Sequence, residues 1–191
     1  MKTREVYRTE LGSAQDLADA LEPMNELHHG PIRVGVAEPQ DSSLILQFIR
    51  DLAAYEHLED QLKATEEELR HYLFEEKKGE VIIGEYSGLP AGFALFFHTF
   101  STFLGKPGIY IEDLFVKPEL RGRGIGKALL SFIAGLAVER NCGRLEWACL
   151  NWNEPAIGFY LRQGALPLKE WTSYRVSGVA IQTLAAASHL G

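Results

Sequence analysis

The segment Arg121-Gly122-Arg123-Gly124-Ile125-Gly126-Lys127 carries the strongest structural signal in this chain of 191 residues. It follows the apolar run IYIEDLFV (109–116) and opens a helical pattern that continues to about Arg140. Glycines let the main chain approach an anion closely, and a helix N-terminus supplies unpaired N–H groups and the positive end of the helix dipole. The basic side chains of the segment add positive charge. The segment therefore predicts a phosphate-binding turn between a strand and a helix.

Two common phosphate-binding motifs do not fit this turn. A P-loop requires Gly at position 121 and Ser or Thr at position 128, where the chain has Arg121 and Ala128. A dinucleotide-binding fingerprint starting at Gly122 requires Gly at 127, and one starting at Gly124 requires a small residue at 129. Lys127 and Leu129 exclude both registers.

Outward from the turn, strand-like and helix-like patterns alternate along the chain. Strands are predicted at 32–38, 80–86, 91–100, 109–116, 144–151 and 174–177, and helices at 41–56, 65–74, 124–140 and 154–163. Ser87-Gly88-Leu89-Pro90 supplies turn residues for a hairpin, and Thr65 with Glu68 fits a capping box. The pattern predicts an α/β domain with helices packed on a mixed sheet.

The chain length predicts one main domain preceded by an extension. With 191 residues, of which 46% are hydrophobic, the chain can bury one substantial core. Gly30-Pro31 forms a candidate boundary, which divides an N-terminal extension (1–30) from the domain (31–191). The extension has apolar residues at roughly helical spacing, namely Leu17, Leu21, Met24 and Leu27.

Composition excludes several classes of protein. The formal net charge of -7 and a pI near 5.4 disfavour a nucleic-acid-binding surface and suit a cationic substrate better. Cys142 and Cys149 have no His or Asp at metal-ligand spacing, so we expect neither a metal site nor a disulfide framework. The longest apolar run, Ala91 to Phe97, is too short for a membrane span, and no signal-peptide core is present. We expect a cytoplasmic protein that binds neither nucleic acid nor membrane.

Three motifs together resemble the GNAT superfamily of N-acetyltransferases, in particular its diamine (spermidine/spermine) and thialysine branch. They are YEHLED (55–60), IYIEDLFVKPELRGRGIGKALL (109–130) and NWNEPAIGFYLRQGA (151–165), and the resemblance covers about 32–176. It implies a mostly antiparallel sheet flanked by helices, with a V-shaped split between two parallel strands. It also implies acetyl-CoA as co-substrate and no metal.

The resemblance implies roles for individual residues around acetyl-CoA. The turn from Arg121 to Lys127 would bind the pyrophosphate, and the main chain of Leu114, Phe115 and Val116 would bind the pantetheine arm. Asn153 matches a position that contacts CoA, although Asn before Glu-Pro is also a typical helix N-cap. Tyr160 matches the general acid that protonates the leaving thiolate, and its alternative is a half-buried packing role beside Phe159.

The resemblance places acidic and aromatic residues around the amine. Glu112 is expected in the amine pocket, as a proton acceptor through water or as a counter-charge. Adjacent strand residues point to opposite faces, so only one of Glu112 and Asp113 can readily face the pocket, and the resemblance favours Glu112. Tyr55, Glu56 and Trp171 resemble further pocket residues, with helix-end polarity and core packing as the alternative.

The expected reaction is direct transfer of acetyl to a small primary amine such as a diamine, thialysine or a related amino compound. Polyamine-acetylating relatives carry an acid and a Trp where this chain has Ser101-Thr102-Phe103, which disfavours long polyamines. The alternatives are a protein or peptide N-acetyltransferase and a non-catalytic acyl-CoA-binding sensor. The resemblance also implies a homodimer formed partly through the C-terminal strand.

Overall fold

A computed structural model describes residues 26–187 of the protein. These residues form two compact units, of which the first ends at Ala148 and the second begins at Cys149. The helical spacing predicted from Leu17 to Leu27 lies outside the described residues except at Leu27, where it is wrong, because Leu27 belongs to a strand (Glu26–His29). None of the helices between residues 26 and 187 combines the length and the apolar composition that a membrane crossing demands.

A six-stranded sheet forms the first unit, and its strands follow one another in chain order. All neighbouring pairs are antiparallel except the last, in which β5 and β6 run parallel. The mixed, mostly antiparallel sheet confirms the predicted fold class. The strands are β1 (Glu26–His29), β2 (Ile32–Val36), β3 (Glu80–Tyr86), β4 (Leu89–Ser101), β5 (Lys106–Val116) and β6 (Leu145–Trp147).

Helices occur in both units. In the first unit they are α1 (Ser42–Glu56), α2 (Glu66–Arg70), which continues as a π-helical turn (His71–Glu75), and α3 (Ile125–Glu139). In the second unit they are α4 (Glu154–Arg162) and α5 (Val179–Ala186).

The two longest helices pack on opposite faces of the sheet. On one face, Phe48 of α1 stacks on Phe93 of β4, with ring centroids 5.4 Å apart, in a buried cluster that includes Ile83 of β3. The next residue of β3, Gly84, points to the other face, where a Cβ would lie 3.2 Å from Ile125 of α3. Glycine at position 84 therefore lets α3 approach the sheet closely and fixes where this helix begins.

The local sequence signals are confirmed. The Thr65 hydroxyl accepts a hydrogen bond from the Glu68 N–H at 3.2 Å, and the Glu68 carboxylate accepts one from the Thr65 N–H at 3.0 Å. Ser87 and Gly88 connect β3 to β4 with φ values of 51° and 79°. Positive φ at both central residues is what a two-residue hairpin needs to match the strand twist.

Four elements differ from the sequence interpretation. The strand predicted at 144–151 is confirmed only at Leu145–Trp147, and the strand predicted at 174–177 is wrong, because residues 172–177 have no regular structure. Tyr174 is 91% exposed, so its segment has no buried face to hold a strand. The sequence interpretation missed β1, which pairs with β2 across Gly30-Pro31, and it missed α5.

Candidate active site

The predicted phosphate-binding turn connects β5 to α3. A 3-10 turn (Pro118–Leu120) follows β5 and leads into Arg121. Gly122 and Gly124 have φ values of 76° and 91°, a left-handed conformation in which a residue with a Cβ is strained. A Cβ at Gly122 would meet no atom within 4 Å. The backbone conformation, rather than crowding, therefore requires glycine in this turn.

The first turn of α3 is suited to binding an anion. Gly124 is its N-cap and provides no side-chain hydrogen bond, and the first helical bond runs from the Ala128 N–H to the Gly124 oxygen at 2.9 Å. The amides of the three residues before Ala128 therefore have no acceptor within the helix. Amides at a helix N-terminus are typical of phosphate sites, so the residues present fit the pyrophosphate of a coenzyme A thioester.

We expect Gly124→Ala to weaken coenzyme A binding about tenfold, because the free variant should relax out of the left-handed conformation, and binding must then restore it at a cost of roughly 1–2 kcal/mol. Isothermal titration calorimetry with coenzyme A measures the change. Gly105→Ala is the matched control: Gly105 also has a positive φ, 63°, and no atom near its Cβ position, but it lies in the β4–β5 turn. Equal losses of affinity in the two variants would contradict the assignment.

The pairing of the two parallel strands ends partway along β5. It runs from Ile109 opposite Leu145 to Ile111 opposite Trp147, where β6 ends, whereas β5 continues to Val116. Within residues 26–148, the end of β5 thus has a paired neighbour on the β4 side only. The parallel pair that the resemblance implied is present, and the V-shaped split stays a prediction.

The exposed edge of β5 presents main-chain groups of Leu114 and Val116. Lys117 donates its N–H to the Ala91 oxygen of β4 at 2.9 Å, and Phe115 lies opposite Phe93. Because main-chain groups alternate between the two edges of a strand, those of Leu114 and Val116 point away from β4. Such groups could bind the amides of a pantetheine arm.

A β-bulge at Glu112 changes the argument about the two neighbouring acids. Leu95 lies opposite Asp113 and Phe96 lies opposite Ile111, so Glu112 has no partner on β4. An extra residue interrupts the alternation of side chains between the two faces. Alternation along the strand therefore excludes neither acid from the amine pocket, and the preference for Glu112, which the resemblance implies, stays a prediction.

The charges of two carboxyl groups act on Asp113 at this point of the sheet. Burial is the main cause that raises the pKa of Asp113 to about 6, followed by the charges of Glu112 and then Glu56. Burial also raises the pKa of Glu56, which lies in the last turn of α1. Asp113 and Glu56 are half-buried, whereas Glu112 is exposed. Such a group favours a cation as its partner, and the predicted Glu56 and Glu112 both lie within electrostatic reach of Asp113.

We expect Asp113→Asn to make the protein more stable at neutral pH. The pKa of Asp113 is 3.8 ordinarily and about 6 in the fold, so between these values the folded state holds a proton that the unfolded state has lost. Stability therefore falls as the pH rises through this window and stays lower above it. The variant should gain about 1–3 kcal/mol at pH 7.5 and almost nothing at pH 4. Urea denaturation at both pH values checks this, and equal gains at both would contradict it.

Tyr55, which the resemblance placed in the amine pocket, contacts Arg121 of the phosphate-binding turn. The guanidinium carbon of Arg121 is 4.2 Å from the centroid of the Tyr55 ring and 5.8 Å from that of Phe115. The Arg121 Nε–H also donates to the Val116 oxygen at 3.0 Å. Glu56 follows Tyr55 directly in the chain, so the end of α1 provides a residue to the turn's surroundings and a residue to the acidic group.

Sequence reasoning missed one residue of the turn's surroundings, Tyr86 at the end of β3. The guanidinium carbon of Arg123 lies 5.2 Å from the centroid of the Tyr86 ring, and Arg123 Nη1 donates to the tyrosine hydroxyl at 3.4 Å. No motif contains Tyr86. Its position follows only from the strand pairing, in which β3 ends at Tyr86 next to the turn that leads into β4.

In the second unit, α4 begins at the predicted Asn153. Its side-chain oxygen accepts a hydrogen bond from the Ala156 N–H at 3.3 Å, which confirms the N-cap role; its contact with CoA stays a prediction. Tyr160 is half-buried on the same helix, and its ring centroid lies 5.2 Å from that of Phe159. Trp171 is 75% exposed. The roles of Tyr160 as an acid and of Trp171 as a pocket wall stay predictions.

Comparison with known proteins identifies the family. Residues 46–165 match the acetyltransferase (GNAT) family. The chain belongs to the GNAT family. As a GNAT protein with close N-acetyltransferase relatives, it is an N-acetyltransferase, and the resemblance seen in the motifs is confirmed.

Two relatives and one solved structure are similar to this GNAT protein. It is 37% identical to thialysine N-epsilon-acetyltransferase of Sus scrofa over 161 residues, which span 78% of this chain and 94% of the relative. It is 46% identical over 94 residues to L-ornithine N5-acetyltransferase NATA1 of Arabidopsis thaliana, which span 49% of this chain and 41% of the relative. An integron cassette protein of V. cholerae has a TM-score of 0.68 at 29% identity, over 82% of this chain and 99% of that chain.

Proposed function

We propose that this GNAT protein transfers the acetyl group of acetyl-CoA to the side-chain amine of a small amino compound of the thialysine or ornithine kind. One observation carries the proposal: Arg121 of the glycine-rich turn contacts the ring of Tyr55, the residue before Glu56, and the charges of Glu56 and Glu112 both act on Asp113. A phosphate-binding element and an acidic element thus both include the end of α1. The first suits coenzyme A, and the second suits a cationic amine.

The proposed reaction needs one proton acceptor and one proton donor. An alkylamine is protonated at neutral pH, because its pKa is about 10.4, so it must lose a proton before its nitrogen attacks the thioester carbon. Glu112 would accept that proton through water, or hold the cation as a counter-charge. The new C–N bond forms as the C–S bond breaks, and Tyr160 would donate a proton to the departing thiolate. The second proton, which the nitrogen loses on becoming an amide, would return to Tyr160 through solvent. The amine reacts directly, with no acetylated residue of the enzyme between the two steps.

The substrate class rests on two arguments. The relatives described above act, by name, on the terminal amines of thialysine and ornithine, both of which are small and cationic. The β4–β5 turn of this chain carries no acid within Ser101-Thr102-Phe103, and Phe103 is 96% exposed. This turn offers no anchor for a distant second ammonium group, which disfavours spermine and spermidine.

Turnover of an amine panel tests the proposal. The full chain is incubated with acetyl-CoA and thialysine, ornithine, lysine, putrescine, spermidine or a peptide with a free N-terminus, and the released thiol is measured. We expect the highest kcat/KM with thialysine or ornithine. Turnover of the peptide alone would favour a protein N-acetyltransferase. Thermal stabilisation by coenzyme A without turnover of any amine would favour an acyl-CoA-binding sensor.

We also propose that the protein forms a homodimer, as the resemblance implies. The predicted route through a C-terminal strand is wrong for the single chain, because residues 172–177 form no strand. Light scattering at micromolar concentration distinguishes a dimer from a monomer.

A further inference from the structure

Both arginines of the glycine-rich turn rest on tyrosine rings that come from other elements. Arg121 lies over Tyr55 of α1 at 4.2 Å, and Arg123 lies over Tyr86 of β3 at 5.2 Å. The two tyrosines are 31 positions apart in the sequence and half-buried, and neither belongs to the turn. One tyrosine thus accompanies each arginine of the glycine-rich turn.

Stacking of this kind restricts the orientation of an arginine side chain, and the guanidinium can still bind an anion. A guanidinium that stacks on a ring uses its face, whereas its N–H donors point outward in its plane. Those in-plane donors form the paired bonds to phosphate oxygens. At Arg121 the inner donor, Nε–H, already bonds the Val116 oxygen. The ring and the main chain therefore fix the plane of the group and leave its outer edge to face a ligand.

The contacts with tyrosine matter because these arginines are exposed and would otherwise move freely. Arg121, Arg123 and both glycines of the turn are exposed, and an unconstrained arginine side chain loses considerable rotamer freedom when it binds a ligand. A side chain that is held before the ligand arrives loses less. This is the general advantage of a preorganised site.

We propose that Tyr55 and Tyr86 are positioning residues for coenzyme A, which hold Arg121 and Arg123 in the orientations that bind its phosphate groups. This inference rests on the proposed function. It assigns Tyr86 a role that no sequence motif indicated, and it gives Tyr55 a role in binding the acyl donor in place of, or in addition to, the expected role in the amine pocket.

Calorimetry with coenzyme A tests the assignment of Tyr86. Tyr86→Leu removes the ring and the hydroxyl and should raise Kd about tenfold, whereas Tyr86→Phe keeps the ring and should stay within about twofold of the wild type. In an Arg123→Ala background, Tyr86→Leu should cause no further loss, because the ring acts through that arginine. A further loss of the same size in that background would overturn the assignment, as would an unchanged Kd in Tyr86→Leu.

The corresponding pair for Tyr55 separates its two possible roles. Tyr55→Leu should raise the Kd of coenzyme A, and Tyr55→Phe should restore it. A rise in the KM of the amine with an unchanged Kd for coenzyme A would instead place Tyr55 in the amine pocket and overturn its part of the proposal.

Two controls complete the experiment. Tyr72→Leu is the matched control, because Tyr72 is an exposed tyrosine of the π-helical turn whose ring contacts His71; its Kd should equal that of the wild type. Thermal unfolding of each variant shows that the fold is retained. Failure of the wild type itself to bind coenzyme A would refute the proposed function, whereas normal binding by every tyrosine variant would refute this inference alone.

Discussion

Replacing Tyr160 by phenylalanine is expected to lower kcat about 100-fold, the usual contribution of a general acid. The hydroxyl would donate the proton that the coenzyme A thiolate takes up, and phenylalanine keeps the ring that packs on Phe159. Because only the proton is lost, the Kd of coenzyme A should change little. Steady-state kinetics with the best amine of the panel measures the effect.

A second tyrosine of the same unit provides the control for this change. Tyr174 is 91% exposed and has no assigned role, so Tyr174→Phe should leave kcat within twofold of the wild type. Substrates with a better thiolate leaving group should partly rescue Tyr160→Phe, because they need the proton less. Unchanged turnover of Tyr160→Phe with natural acetyl-CoA would remove the tyrosine from the chemistry.

The second large effect is expected at Glu112. Glu112→Gln should lower kcat/KM for the amine about 100-fold if this carboxylate accepts the proton of the ammonium. If Glu112 serves only as a counter-charge for the amine, its replacement should raise KM and leave kcat unchanged. Glu67→Gln, an exposed acid in the first turn of α2, controls for the loss of one negative charge. A kcat/KM within twofold of the wild type would show that Glu112 has neither role.

The pH profile distinguishes Glu112 from its neighbour. Asp113 gains its charge as the pH rises through about 6, so an acidic limb of kcat/KM with an apparent pKa near that value would belong to this residue. Asp113→Asn should then abolish the limb, and Glu112→Gln should lower the whole curve and keep the limb. Since the acids interact, the measured value describes the group of carboxylates.

The features that were predicted best from the sequence depend on residues that lie close together in the chain. The capping box at Thr65 and the hairpin turn at Ser87-Gly88 depend on residues within a few positions of one another, and both are present. The glycine-rich turn was equally predictable, because strand, glycines and helix follow directly in the chain. Local chemistry specifies each of these elements almost completely.

Features that depend on distant partners could not be predicted. The bulge at Glu112 exists only in the register between β4 and β5, and the contact of Arg123 with Tyr86 joins residues far apart in the sequence. The segment at 174–177 alternates like a strand, but its solvent-exposed side chains provide no partner to fix that conformation. β1 is short and polar, and only its pairing with β2 defines it.

The outward-facing amides and carbonyls of Leu114 and Val116 have an evolutionary consequence. Every amino acid except proline carries the same main-chain groups, so if these groups bind the pantetheine arm as we expect, mutations at these positions can alter the side chains and leave that binding intact. Selection is then free to change the acids and aromatic residues that we expect around the amine. A scaffold of this kind can acquire new acceptors while it keeps a single donor.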